Sequence, residues 1–408
     1  MPRLLIIVAV LGVLASACQP LATSDSTTTS DTAVLPLAFT IDQDRIVVST
    51  ITGAIAVYGV NGEEISRIDP PEGHFYRQPT WLSSDTVVFS DVSDIGDHAL
   101  VAADAESSDV VWRVDMETSP FYFSPAPSGG PSATTSLRNN PTGGGLIAEL
   151  VDHSGIVSML SEESPFYTSW SPSGDALAVH IAGQHLDVYR DGETELLLTE
   201  TGLFQTPVWV EKGLVTLRTV SDVQRLAIWD GSFTDIAEVV GPAGFVASGD
   251  LVAIQATERP DAGTIAAALR TQAIPTIPGG KLVVIDLVST EIQTVSSELA
   301  LVYQWNPAGT SLVYATLADS RGSLVWNVWT DGQSVEKEPF ALQPGWFSNL
   351  VPFFDQYAQS VQFWSSSGDY LGYPAVVGTD PVVVIEPLDG AESVIIPDSI
   401  WSAWAPSG

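Results

Sequence analysis

Residues 164–180 read Ser164-Pro165-Phe166-Tyr167-Thr168-Ser169-Trp170-Ser171-Pro172-Ser173-Gly174-Asp175-Ala176-Leu177-Ala178-Val179-His180. An aromatic run ends in a turn of Ser, Pro and Gly, and an alternating apolar run follows. Aromatic and β-branched residues suit strands, and Pro, Ser and Gly suit tight turns. The stretch reads as a strand, a turn and a second strand pairing back on the first. Its opening recurs 45 positions earlier, as Ser119-Pro120-Phe121-Tyr122-Phe123-Ser124-Pro125-Ala126-Pro127-Ser128-Gly129. Recurrence at a fixed period predicts an array of small sheets.

Working outward, the first unit has Arg45–Thr50, then Ala54–Tyr58, a turn at Asn61-Gly62, and Glu64–Ile68. Asn-Gly between alternating runs is a strong hairpin signal. The second unit runs from Pro79-Thr80-Trp81 to Val114 and turns late at Ser107-Ser108. The third opens at Ser119 and turns at Ser154-Gly155. Taking Asn140-Pro141-Thr142-Gly143 as its turn phrase is the alternative, but the Ser-Pro-Phe-Tyr match is longer. The fourth turns at Asp191-Gly192, and the fifth, from Pro207-Val208-Trp209, at Asp230-Gly231. The sixth has Phe245, Leu251–Ile254 and Leu282–Ile285, turning near Ser289-Thr290. The seventh has Tyr303-Gln304-Trp305-Asn306-Pro307-Ala308-Gly309 and turns at Asp331-Gly332. The eighth is read as Pro352-Phe353-Phe354, Val361-Gln362-Phe363-Trp364 and Val382–Ile385, turning at Asp389-Gly390.

These late turns, at 62, 108, 155, 192, 231, 290, 332 and 390, are 37 to 59 residues apart. A four-stranded unit repeating every ~40–45 residues is the signature of a propeller blade. The fold class expected is all-β: an eight-bladed β-propeller of four-stranded antiparallel blades over residues 35–408, with seven blades as the alternative count. Ser399-Ile400-Trp401-Ser402-Ala403-Trp404-Ala405-Pro406-Ser407-Gly408 repeats the inner-strand phrase. The C-terminal strand is therefore expected to close the ring on the first unit, with residues 36–41 as the alternative inner strand.

The phrases beginning at Trp170, Trp305 and Trp404 resemble the WD40-like repeat of TolB-type propellers, whose turn reads Trp/Phe-Ser-Pro-Asp-Gly; here its Asp is Ser or Ala. The resemblance covers most of residues 36–408 and implies a periplasmic interaction platform. Ala103-Asp104-Ala105-Glu106-Ser107-Ser108-Asp109-Val110-Val111-Trp112 is also similar to the docking motif of quinoprotein-like propellers, in a single copy. That group includes the eight-bladed lipoprotein of outer-membrane-protein assembly machinery.

The 408 residues carry 49 acidic against 15 basic side chains, a formal charge of −34. Such a surface repels phosphate backbones, so nucleic acid is not an expected partner. Residues 1–17 read as a signal peptide: Arg3, the apolar run Leu4–Leu14, then Ala15-Ser16-Ala17. The sequence up to Cys18 resembles the lipobox of bacterial lipoproteins, which implies that Cys18 is acylated. Cys18 is the only cysteine, so it has no partner for an internal disulfide. Residues 18–34 follow as a flexible polar tether. The expected location is the cell envelope outside the cytoplasm, with membrane attachment through the N-terminal lipid only.

No nucleophile elbow, P-loop, Gly-x-Gly-x-x-Gly or His-Glu-x-x-His occurs. No catalytic, cofactor or metal residue is assigned. His180 and His185 flank a hairpin, but a metal needs further ligands. Asp91, Asp94 and Asp97 are read as one solvated acidic loop near Asp104, without EF-hand spacing. Trp81, Trp170, Trp209, Trp305 and Trp404 recur at equivalent places and are read as packing between blades. Residues 257–280 form an insertion, with a short helix expected over Ala262–Gln272 capped by Asp261. Residues 343–351 and 371–381 are read as long loops. The expected function is a non-catalytic scaffold binding a protein or small ligand at a propeller face. The alternatives are a glycoside- or lactone-acting enzyme with channel carboxylates, or an envelope assembly factor.

Overall fold

The strand Ala176–Ile181 buries every side chain, so both faces of its sheet must be covered by other sheets. The computed structural model describes residues 44–406 apart from 128–131, 163–165, 191, 200, 202–204, 257–273 and 321. Eight antiparallel sheets form among the described residues, in an eight-bladed β-propeller. The seven-bladed alternative is excluded. The signal peptide at 1–17, Cys18, the tether at 18–34 and the alternative inner strand at 36–41 lie outside the described residues, as does the helix expected over Ala262–Gln272.

Each blade runs outward from an inner strand. For blades 2 to 7 these are His74–Trp81, Pro120–Pro125, Phe166–Trp170, Val208–Val210, Ala243–Ser248 and Val302–Trp305. The eight late turns all join a third strand to a fourth. Asn140–Gly143 instead joins the second and third strands of blade 3, so the preferred register holds. The 257–280 insertion returns through Thr276–Ile277, which pairs in parallel with the outer strand Phe233–Val239 of blade 5.

The C-terminal strand Ser399–Trp404 is the inner strand of blade 1 and pairs antiparallel with Arg45–Thr50, placing Ile46 opposite Trp404. Trp404 is 1% exposed and packs with Ile46, Val48, Val383 and Ile385, which joins blade 1 to blade 8. Across the seam between blades 1 and 2, Trp81 Nε1 donates to Ala403 O at 2.9 Å and Trp401 Nε1 to Pro79 O at 3.1 Å.

Blade 8 departs from expectation. Residues 371–381 are not a loop: Tyr370–Val377 is the second strand and turns tightly into Asp380–Pro387. Pro352–Phe354 is not a strand either. Residues 343–360 hold α1 (Pro344–Asn349), a 3₁₀ turn (Val351–Phe353) and α2 (Phe354–Tyr357). They interrupt the inner strand of blade 8. Its first part, Ala341–Leu342, pairs with Ala375 and Val376. Its second, Val361–Trp364, is not the second strand expected: Phe363 O accepts from Gly372 N at 2.8 Å, and Trp364 bridges Leu371.

Trp364-Ser365-Ser366-Ser367-Gly368-Asp369 then repeats Trp170-Ser171-Pro172-Ser173-Gly174-Asp175 without the proline. The turn is the same. Ser171 Oγ accepts from Ala176 N at 3.0 Å, and Ser365 Oγ from Tyr370 N at 3.2 Å. Gly174 and Gly368 have φ of 69° and 78°, which only glycine adopts cheaply.

Trp404→Ala should cost about 3–5 kcal/mol, the range for a large buried aromatic. Leu196→Ala, at an outer position 53% exposed, should cost under about 0.5 kcal/mol. Chemical denaturation of the two variants checks this; equal midpoints would mean that Trp404 does not hold the seam.

Candidate functional site: a plugged channel with two mouths

Inner strands line the axis of a propeller. A chain that leaves an inner strand and returns to it two helices later enters the channel. Trp346, Leu350, Phe354, Tyr357 and Phe363 of this segment are all under 8% exposed. Burying a large apolar side chain is worth about 1.5–3 kcal/mol, so the plug is held by its own packing.

The other blades grip it. Thr80 Oγ1 of blade 2 donates to Ser360 O at 2.8 Å. Tyr122 OH of blade 3 donates to Gln356 O at 3.0 Å. Gln359 Nε2 donates to Pro207 O, at the start of blade 5, at 2.9 Å. Gln304 of blade 7 makes three contacts: its Nε2 donates to Ala358 O and Val361 O at 2.9 and 3.0 Å, and its Oε1 accepts from Phe363 N at 2.8 Å. Tyr357 meets Trp401 of blade 1 edge-on at 6.0 Å. In blade 6, Gly244 leaves room for Asp355; a Cβ there would fall 2.7 Å from Asp355 Oδ1. Tyr167 of blade 4 feels the Asp355 charge, which adds to burial in raising its phenol pKa.

The plug leaves a mouth at each end. Where inner strands begin, a cleft of 590 Å³ is lined by Phe75, Arg77, Trp346, Ile400 and Trp401. Where they end, pockets of 250 and 360 Å³ share Gln359 and Gln362 as a floor. The smaller holds Trp170, Trp209, Trp305 and Asp355. Burial pushes the Asp355 carboxyl up from 3.8 to about 6. Burial also pushes the Tyr122 phenol up to about 12 and Tyr303 well above its ordinary value. Those phenols are neutral donors at neutral pH.

The carboxylates expected to share a loop do not. Asp91 lies in strand Thr86–Ser93, 1% exposed, with His74 Nδ1 at 2.8 Å and Arg113 Nη1 at 2.5 Å. Its two partners offset the burial of its charge. Asp94 and Asp97 are exposed in the turn that follows. Asp104 closes a late turn, accepting from Glu106 N and Ser107 N at 3.0 and 2.7 Å. Asp286 does the same to Val288 N and Ser289 N at 2.7 and 2.8 Å. The turn of the docking-like stretch thus has a second copy in blade 6. Among the described residues no group of three or more His, Cys, Asp or Glu is placed to hold a metal.

His180 and His185 do not face each other. The register pairs His180 with Leu186 and Ile181 with His185, which puts the rings on opposite faces. His185 Nδ1 sits 3.0 Å from Asp187 Oδ2. His180 is fully buried, with Nδ1 2.6 Å from Gln205 O and Nε2 2.7 Å from Thr201 Oγ1. The carbonyl requires Nδ1–H, so neutral Nε2 accepts from the hydroxyl. Of the recurring tryptophans, Trp81 and Trp170 donate to the neighbouring inner strand, Trp170 to Ser124 O at 2.9 Å. Trp170, Trp209 and Trp305 also wall a mouth pocket.

Burial depresses the His180 pKa from 6.5 to about 4. Between those values the unfolded chain takes up the proton and the folded chain resists, so stability from this group is full above pH 6.5 and falls as pH drops towards 4. Asp355 acts with opposite sign, gaining stability as pH falls from about 6 towards 3.8. Between pH 7 and 4.5 the stability advantage of wild type over His180→Gln should shrink by about 2 kcal/mol. Parallel stability profiles of the two would show that His180 does not carry this acid sensitivity.

No protein-family model matches the chain, and no curated protein matches it. Solved structures do. A crystal structure of the eukaryotic initiation factor superposes with a TM-score of 0.56 at 9% identity, covering 90% of this chain and 98% of that one. Dihydro-heme d1 dehydrogenase NirN in complex with DHE gives 0.56 at 11% identity, covering 90% and 76%. BamB from Moraxella catarrhalis gives 0.49 at 13% identity, covering 91% and 92%. The likeness is one of fold.

Proposed function

We propose that the chain is a non-catalytic binding scaffold, held outside the cytoplasm by a lipid on Cys18, with a protein docked at the 590 Å³ mouth. The observation that carries the scaffold reading is the plug. An enzyme working on channel carboxylates needs acidic groups from several blades to converge on open space. Here the axis is packed with the chain's own aromatic and aliphatic side chains, and Asp355 of the plug is the carboxylate lining the mouth pockets.

The docking face follows from chemistry. The 590 Å³ cleft is walled largely by Phe75, Pro344, Trp346, Ile400 and Trp401. Phe347, one residue on from its wall, is 42% exposed. Apolar surface rimmed by polar groups is what protein interfaces use. The anchor rests on the lone Cys18 between an apolar leader and a polar tether. No described helix is long and apolar enough to cross a membrane.

Affinity capture from native membranes tests both parts. Wild-type protein should recover a partner, and Phe347→Asp should lose it while remaining folded. Cys18→Ser should move the protein to the soluble fraction. Failure to recover a partner, together with hydrolysis in a substrate screen, would overturn the scaffold. Membrane retention of Cys18→Ser would overturn the anchor.

A further inference from the structure

The opposite mouth has a different character. Asp355 is only partly exposed, and its carboxylate has no hydrogen-bond or ion-pair partner from another described residue. Charged side chains this enclosed are normally paired. The titratable groups whose phenols feel its charge are Tyr167 and Tyr303, from the inner strands of blades 4 and 7. Both are held neutral by burial, so neither supplies a countercharge. The 250 Å³ pocket that Asp355 lines contains no Lys, Arg or His. Its lining includes Trp170, Trp209 and Trp305, carried by three different blades.

We propose that this pocket binds a small organic ammonium ion, with Asp355 as its counter-ion and the indoles of Trp170, Trp209 and Trp305 as its walls. Indole faces attract alkylammonium groups by cation–π interaction, most strongly when the cation is desolvated. A single carboxylate among indoles is a poor site for a divalent metal, which takes several oxygen ligands. The volume falls below the ~300–1,000 Å³ of pockets for drug-sized ligands, which selects a small cation. The net charge of −34 raises the local concentration of cations near the mouth. At neutral pH Asp355 is largely ionised, since burial brings its carboxyl only to about 6.

The inference deepens the scaffold reading by giving one mouth a ligand class, and it rests on that reading being non-catalytic. The test is calorimetric titration of the purified chain with choline and with tetramethylammonium, at constant ionic strength, with KCl as the inorganic control. Saturable binding of both organic cations is expected. Asp355→Asn and Trp209→Ala should each weaken it at least about tenfold, a loss of ~1.4 kcal/mol, with thermal unfolding still cooperative. Absence of saturable binding, unchanged affinity in Asp355→Asn, or equal competition by K⁺ would overturn the inference. Partner capture at the other mouth alongside any of these results would leave the scaffold standing. Hydrolysis of a choline ester by the wild type, lost in Asp355→Asn, would overturn the non-catalytic reading and leave the assignment of the pocket intact.

Discussion

Everything in this fold depends on pairing the inner strand of every blade. The second strands are buried on both sides along their cores; Ala176–Ile181 and the core of Thr86–Ser93 have almost no exposed atoms. Such strands are stable only when a ring covers both faces of each sheet. A ring has one seam, and the two ends of the described chain meet there. Arg45–Thr50 lies between its own hairpin partner and Ser399–Trp404. Two tryptophan N–H groups donate across the seam with blade 2, one from each side, and Trp404 reaches towards blade 8. Ser399–Trp404 thus covers the channel-side edge of Arg45–Thr50, which uncovered would recruit foreign strands.

The same pairing constraint explains the plug. The inner strand of blade 8 is cut in two, yet both halves stay registered on Tyr370–Val377. What lies between has only the channel to occupy. It fills it with aromatic contacts to blades 1 and 7 and hydrogen bonds to blades 2, 3, 5 and 7. Gln304 is the clearest adaptation: a buried amide in an apolar strand that satisfies three backbone groups of the plug. Closing the axis divides a through-channel into two mouths. One is largely apolar, and the other has three tryptophans and a carboxylate in its lining.

The ring was legible because its signals are local. Asn61-Gly62, Asp331-Gly332 and Asp389-Gly390 mark hairpins by backbone chemistry alone, and Trp170-Ser-Pro-Ser-Gly marks the end of an inner strand. The closing strand was legible for the same reason. Blade 8 was misread where a mark had changed. Trp364-Ser-Ser-Ser-Gly-Asp lacks the proline, so the sequence places Val361–Trp364 one strand too far out and reads residues 371–381, which hold most of the strand Tyr370–Val377, as a loop. The plug was missed because its apolar spacing is short and broken by Pro344 and Pro352, which resembles strand or loop. Its site could not be seen at all. Asp355 gains its meaning from Gly244, Trp170, Trp209 and Trp305, on blades brought together only by closure. Gln304, a lone amide between Tyr303 and Trp305, was the one clue to a polar guest in the channel.

The central claim is that residues 343–363 are an integral part of the channel core. Amide hydrogen exchange of the native protein tests it most directly. The segment should be protected to the level of the inner strand Val302–Trp305 and should open only with the ring. Exchange of residues 343–363 as fast as the exposed turn at Gly143–Gly145 would contradict the account, because it would leave the channel open.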